Sequence, residues 1–158
     1  MAVSELVSGP VTLEYDDLPH RAGERLGPTA WTAVTQPQVA GFADLTYDHQ
    51  WIHVDEVRAK EGPFGTTIAH GYLTLSLVPF FLGQLLEVSG ISMAVNYGLE
   101  RVRFPAPVPV GASLRASAEI VDVQPGPGSK QVTVRVSVAC NAAEKPVCVA
   151  DVVILFVA

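Results

Sequence analysis

Charge is scarce in this chain. Only 16% of its 158 residues are charged, against 49% hydrophobic. That excludes a disordered polypeptide. It also implies more apolar surface than a lone subunit hides, so a homo-oligomer is expected. Basic residues are scarcer still, 10 against 16 acidic, for a net charge of −6. A nucleic-acid partner, which needs a basic face for phosphates, is therefore excluded, although a local basic patch for an anionic cofactor is not. The two cysteines, Cys140 and Cys148, are too few for a disulfide framework. They flank the turn-like NAAEKP and read as buried free thiols in a reducing cytoplasm. The N-terminus has no basic segment followed by an apolar run, so no secretory signal is expected. Long hydrophobic runs are missing too. The most apolar stretch is 71–88, GYLTLSLVPFFLGQLLEV. Its uninterrupted part, Tyr72 to Leu86, is shorter than the roughly 20 residues of a membrane span and contains Thr74, Ser76, Pro79, Gly83 and Gln84. No membrane partner is expected. Repeats and low-complexity blocks are absent as well, and the length suits one domain over 1–158.

What is present is a change of period. Residues 1–30 form an irregular lead-in broken by Pro10, Pro19 and Pro28. A short strand is expected over 31–35. Thr35 then caps a helix from Gln36 to about Leu45, with Pro37 in its first turn and Val39, Phe42 and Ala43 on one face. Asp55 caps a short helix that ends at Gly62-Pro63. The apolar stretch 71–88 reads as a helix buried on nearly every side. Four strands come after it. In 93–104, Met93, Val95, Tyr97 and Leu99 share one side until the alternation shifts near Gly98–Arg101, which signals a bulge. Leu114, Ala116, Ala118 and Ile120 alternate with polar residues, as do Val132, Val134, Val136 and Val138. Residues 147–157 are nearly all apolar and read as a central strand. With turns at 125–128 and 141–146, these are antiparallel strands with one wet face. The expected class is α+β, with a curved antiparallel sheet wrapped around a long central helix.

The chemistry concentrates in TYDHQWIHVD, residues 46–55. A carboxylate at Asp48 and an imidazole at His53, around one water, make an acid–base device. The carboxylate accepts the proton as the water oxygen attacks, and the imidazole orients the water and helps return the proton. A second stretch, IAHGYLTLS (68–76), puts Gly71 where the apolar helix begins. Its unpaired N–H suits a carbonyl oxygen gaining negative charge, and the missing side chain allows close approach. Together these features meet the needs of water addition to an α,β-unsaturated thioester.

These stretches resemble the MaoC-like, or (R)-specific enoyl-CoA hydratase, family on the hot-dog fold, and within it the nodulation-protein-N-like branch. The family motif, Asp-x-Asn-Pro-aliphatic-His, reads Asp48-His49-Gln50-Trp51-Ile52-His53 here. The later apolar-small-His-Gly reads Ile68-Ala69-His70-Gly71, and RFPAPVPVG (103–111) resembles the family's Arg-Phe-x-x-Pro-Val-x-x-Gly. The resemblance spans roughly residues 30–157. It implies a homodimer of cytoplasmic fatty-acid metabolism that reversibly hydrates trans-2-enoyl-CoA to (R)-3-hydroxyacyl-CoA. Asp48 and His53 would be catalytic, Gly71 would donate to the thioester carbonyl, and the acyl chain would lie in a tunnel beside the helix. No metal or redox cofactor is implied, and coenzyme A belongs to the substrate. Departures from the pattern are Gln50 for Asn, Trp51 for Pro, Tyr47 for a small residue and Pro79 for a serine. Tyr47, Gln50 and Trp51 are expected to wall or narrow the substrate pocket, with His70 beneath the site.

Alternatives stand beside this reading. Asp48 can cap a turn, and His53 can be a satisfied core histidine. His49 and His53, four apart, would pair on a metal with Asp48 or Asp55 only on a helix, whereas the segment reads as loop, so no metal is expected. Arg101 and Arg103 suit coenzyme A phosphates but equally suit solvent. A hot-dog thioesterase would place an acid on the central helix, and here Glu87 comes too late. A non-catalytic acyl-CoA-binding subunit is the third possibility.

Overall fold

The computed structural model describes residues 9–158; the first eight, part of the expected lead-in, lie outside the described residues. The rest of that lead-in is not irregular. It forms strand β1 (Val11–Glu14), a 3-10 helix (Tyr15–His20) and strand β2 (Arg25–Leu26), followed by β3 (Thr32–Ala33). The pairing partners of β1 and β2 are far along the chain, so no local periodicity marks them, whereas β3 is the short strand expected over 31–35. Helix α1 (Gln36–Thr46) starts as expected: Thr35 N–H donates to the Gln38 side chain at 2.8 Å, and Val39 and Ala43 are buried. It ends at Tyr47, whose φ of 62° places it in the left-handed region. The motif stretch, expected to be loop, contains a one-turn helix α2 (Trp51–Val54), followed by α3 (Glu56–Lys60). His53 N–H donates to Gln50 C=O at 2.9 Å, which closes the turn of α2. The Asp55 carboxylate accepts Arg58 N–H at 3.0 Å, the cap expected of it.

The long apolar helix is two helices, α4 (Gly71–Ser76) and α5 (Val78–Leu85), broken at Leu77. Pro79 has no N–H to give the carbonyl four residues back, so the helical ladder cannot run through it. The chain then leaves the helix one residue after Leu85. Leu86–Ser89 is strand β4, paired in parallel with β1. Burial is one-sided rather than all-round. Val78, Phe81, Leu82 and Leu85 are in the core, while Tyr72, Ser76 and Phe80 are exposed. The sheet covers one side of the helices, and the other side faces solvent in the single chain.

Four long strands complete the fold: β5 (Met93–Arg103), β6 (Ser113–Gly126), β7 (Ser129–Cys140) and β8 (Cys148–Val157). The sheet order is β2-β6-β7-β8-β5, with β3 also on β6, and these pairings are antiparallel. β8 is an interior strand, as its apolar sequence requires. Leu114, Ala116, Ala118 and Ile120 of β6, and Val132, Val134, Val136 and Val138 of β7, form one buried layer against α5. Both cysteines are free and buried. Burial pushes the Cys148 thiol up to about 11, which makes it inert.

The expected bulge in β5 is present, but there are two. The register skips Tyr97 and again Glu100. Each extra residue flips the parity of the residues after it. Leu99 therefore opposes Val152 on the helix side, while Met93 and Val95 oppose Val157 and Leu155 on the other. The four residues do not share one side.

The outer face of the sheet carries one row of alternating charge. Arg25 on β2 opposes Glu119 on β6, Glu119 opposes Arg135 on β7, Arg135 opposes Asp151 on β8, and Asp151 opposes Arg101 on β5. Arg135 grips Asp151 with two bonds, of 2.7 and 2.9 Å. That bond holds the Asp151 carboxyl below the usual carboxylate range.

Candidate active site

Three chain segments meet at the site: the end of α1, helix α2, and the extended run 66–70 that leads into α4. His53 is held first. Its ring is buried, and Nδ1 donates to Ile68 C=O at 2.7 Å, since a carbonyl only accepts. Nε2 therefore carries the lone pair. Burial lowers the His53 pKa; the Ile68 bond and nearby Asp48 oppose that shift, and His70 adds to it. A neutral imidazole with a free Nε2 is the form a base needs. The backbone beneath it is clamped by Gln36, which donates to His53 C=O at 2.8 Å and accepts the Thr67 hydroxyl. Nothing in the sequence marks Gln36 for this task beyond its place at the start of α1.

Asp48 follows the left-handed Tyr47. Its side chain is 55% exposed in the single chain, so Trp51 and Ile52 do not enclose it. Gln50 N–H lies 3.4 Å from its carboxylate. His70 is 3% exposed, and its Nε2 sits 2.9 Å from Asp48 C=O. The His70 ring stacks on His53 with centroids 3.7 Å apart and planes 25° apart, and Phe42 packs at 5.0 Å on it. One ligating atom from each of Asp48, His53 and His70 lies within 4.8 Å of the others. His53 Nδ1 and His70 Nε2 are both committed to backbone carbonyls as donors, which removes each of them as a ligand. The arrangement suits a water between Asp48 and His53 better than a metal. His49 is not part of it, because its Nε2 engages Asp44 at 2.8 Å on the surface.

Gly71 is the first residue of α4, and among the described residues its N–H meets no acceptor. It faces a cleft of about 290 Å³ lined by His53, Thr74, Phe64, Phe104 and Val147 among others. Phe104 lies directly over Gly71, so close that a Cβ there would fall 2.9 Å from the ring. Phe64, Phe104 and Val147 carried no signal in the sequence beyond being apolar. The residues expected to wall the pocket stand differently. Tyr47 is 87% exposed, and Gln50 is exposed at the start of α2. Trp51 packs its ring against Gly62, with the Arg58 guanidinium 4.3 Å above it. In the single chain these three lie beside the cleft rather than in its lining. Arg101 joins the charge row on the sheet, and Arg103 bonds its neighbour's carbonyl, Val102, at 2.7 Å.

The MaoC-like domain family matches residues 17–142. The chain belongs to the MaoC-like family. The match begins earlier than the resemblance read from the motifs, within the 3-10 helix, and stops at 142, before β8. The MaoC-like chain is 51% identical to 3-hydroxyacyl-thioester dehydratase Z of Mycobacterium tuberculosis, over 90% of its own length and 95% of that protein. It is 44% identical to nodulation protein N of Rhizobium leguminosarum, over 71% of each. Among solved structures, the (R)-hydratase of A. caviae superposes with a TM-score of 0.66 and 25% identity, covering 84% of this chain and 94% of that one. The hot-dog fold expected from the motifs is the fold of this chain. Among the described residues, no helix of this MaoC-like chain is long and apolar enough to cross a membrane.

Proposed function

We propose that this chain reversibly adds water to trans-2-enoyl thioesters, giving (R)-3-hydroxyacyl thioesters, with Asp48 and His53 as the acid–base pair. The hydro-lyase class comes with the family, among whose matched members are proteins named dehydratase and hydratase. One observation carries the assignment of the pair. Asp48 and His53 present polar atoms within 4.8 Å of each other, a gap that one water spans at about 2.8 Å from each. In hydration, that water attacks C3 while its proton passes to the pair, and C2 takes a proton back. Charge moves onto the thioester oxygen, which the Gly71 N–H receives. No metal or redox cofactor enters this scheme, and coenzyme A arrives as part of the substrate.

The exposed helix face and edge strand β5 support a homodimer. Met93, Val95, Tyr97 and Leu99 on β5, with Tyr72 and Phe80 on the helices, are 40–71% exposed large hydrophobics. A second copy would cover them.

The test is enoyl-thioester absorbance with crotonyl-CoA and a longer trans-2-enoyl-CoA, on wild type, Asp48→Asn and His53→Ala. Loss of absorbance with wild type alone, without free thiol, is the expected result. Free thiol would make the chain a thioesterase. No turnover together with acyl-CoA binding would make it a binding subunit.

A further inference from the structure

His70 stands apart from the scheme above. It takes no proton in that scheme, yet it touches all three groups the scheme uses. Its Nε2 lies 2.9 Å from Asp48 C=O, so this nitrogen carries the hydrogen. Its ring covers the face of His53 at 3.7 Å. Its own peptide leads into Gly71 N–H at the start of α4. The two imidazoles are thus fixed as opposite tautomers, each by one backbone carbonyl: His53 through Nδ1–H to Ile68, His70 through Nε2–H to Asp48. The second nitrogen of His70, Nδ1, is buried and has no partner among the described residues. A buried polar atom without a partner is unusual in a folded protein and asks for a reason. A residue kept for packing alone would not need a ring that orphans one of its nitrogens.

We propose that His70 is a positioning residue, an Nε2–H imidazole that holds the Asp48 main chain, the His53 ring and the Gly71 N–H in one fixed relation. The need shows in the surroundings of Asp48. Asp48 follows a non-glycine residue in left-handed conformation, and among the described residues its carboxylate has only long contacts, with Gln50 N–H at 3.4 Å and with His70 Nε2 at 3.9 Å. The other polar groups nearby are already engaged: Asp44 with His49, and Asp55 with Arg58 N–H. The His70 bond is what ties the Asp48 backbone to the α4 side of the cleft. Because the proposal rests on the hydratase reading, its test includes a measurement that does not need turnover.

Two variants separate the two contacts. His70→Phe keeps a ring against His53 and loses the donor. His70→Gln keeps an amide N–H for Asp48 C=O and loses the ring. With an enoyl-CoA that wild type hydrates, His70→Phe should lower kcat by about ten- to a hundredfold with KM changed by less than about threefold, since a loosened acid–base pair is misplaced rather than unbound. His70→Gln should recover about tenfold of that loss, the donor being the part that places Asp48. Both variants should keep a cooperative thermal transition. Independently, ring 15N shifts at neutral pH should show His70 protonated at Nε2 and His53 at Nδ1. The proposal is overturned if His70 carries its hydrogen on Nδ1, if His70→Phe keeps full kcat, or if Gln and Phe lose equally with KM rising in step. Wild type inert toward every enoyl-CoA, with the tautomers as stated, would sink the hydratase reading and leave the ring's placement standing.

Discussion

Gly71→Ala is the sharpest perturbation the cleft allows. The backbone tolerates it, since Gly71 is not among the positive-φ residues and sits at a helix start. The new Cβ would lie 2.9, 3.0 and 3.1 Å from three carbons of the Phe104 ring. Carbon pairs prefer 3.5–4.0 Å, so the ring must retreat by roughly 0.5–1 Å. Phe104 is 40% exposed and has solvent to move into, so the fold should survive with a melting temperature within a few degrees of wild type. The approach to the Gly71 N–H would become narrower. Removing an oxyanion donor costs ~10²–10³ in kcat. Here the N–H stays but its approach narrows, which points to the lower end, about a hundredfold or ~2.7 kcal/mol in the barrier. The assay is kcat and KM for enoyl-CoA hydration beside a thermal melt. Phe104→Ala in the same chain gives the Cβ room and should return at least about a tenfold part of the loss. Unchanged kcat/KM in Gly71→Ala would refute the reasoning, because the N–H would then not lie at the reacting carbonyl. A large fall in melting temperature would assign the glycine to packing instead.

Other expectations are as direct. Burial lowers the His53 pKa, so the base form should persist below the ordinary imidazole value of about 6.5, and the acid limb of kcat/KM should fall below that pH; an acid limb above pH 7 would contradict it. The same shift has a stability sign: the contribution is present above the unfolded value and is lost as pH falls through the lowered folded one, which His53→Gln should flatten in a pH series of melts. Phe81→Ala empties a fully buried site against the sheet and should cost about 3–5 kcal/mol in denaturant unfolding. Val95→Lys puts a charge on the exposed edge strand β5 and should shift light-scattering mass from two chains toward one, leaving the melt of the single chain cooperative.

Much of this was written in the sequence, and the rest fails for definable reasons. The four long strands announce themselves because alternation is local. β1, β4 and β2 do not, because only their distant partners make them strands: Leu86–Ser89 continues an apolar helical run and leaves it to pair with Val11–Glu14. Pro79 foretold a break that the apolar run around it concealed. Parity after Asn96 could not be followed, since two bulges in four residues each reverse it. At the site, spacing singled out Asp48, His53 and Gly71. Gln36, Phe104 and the stacking of His70 depend on tertiary approach, and no residue pattern encodes an approach.

The row of alternating charge has a consequence for how copies of this chain meet. It starts with Arg25 on one sheet edge and finishes with Arg101 on the other. Sheets that grow without limit join the edge of one copy to the opposite edge of the next. In this chain that joint, with the row kept in line, would set Arg25 against Arg101, cation facing cation. Like charges directly opposite one another across strands are destabilising. The row that ties the strands together within one molecule therefore leaves both margins of the sheet with the same sign, and works against a fibre built from head to tail.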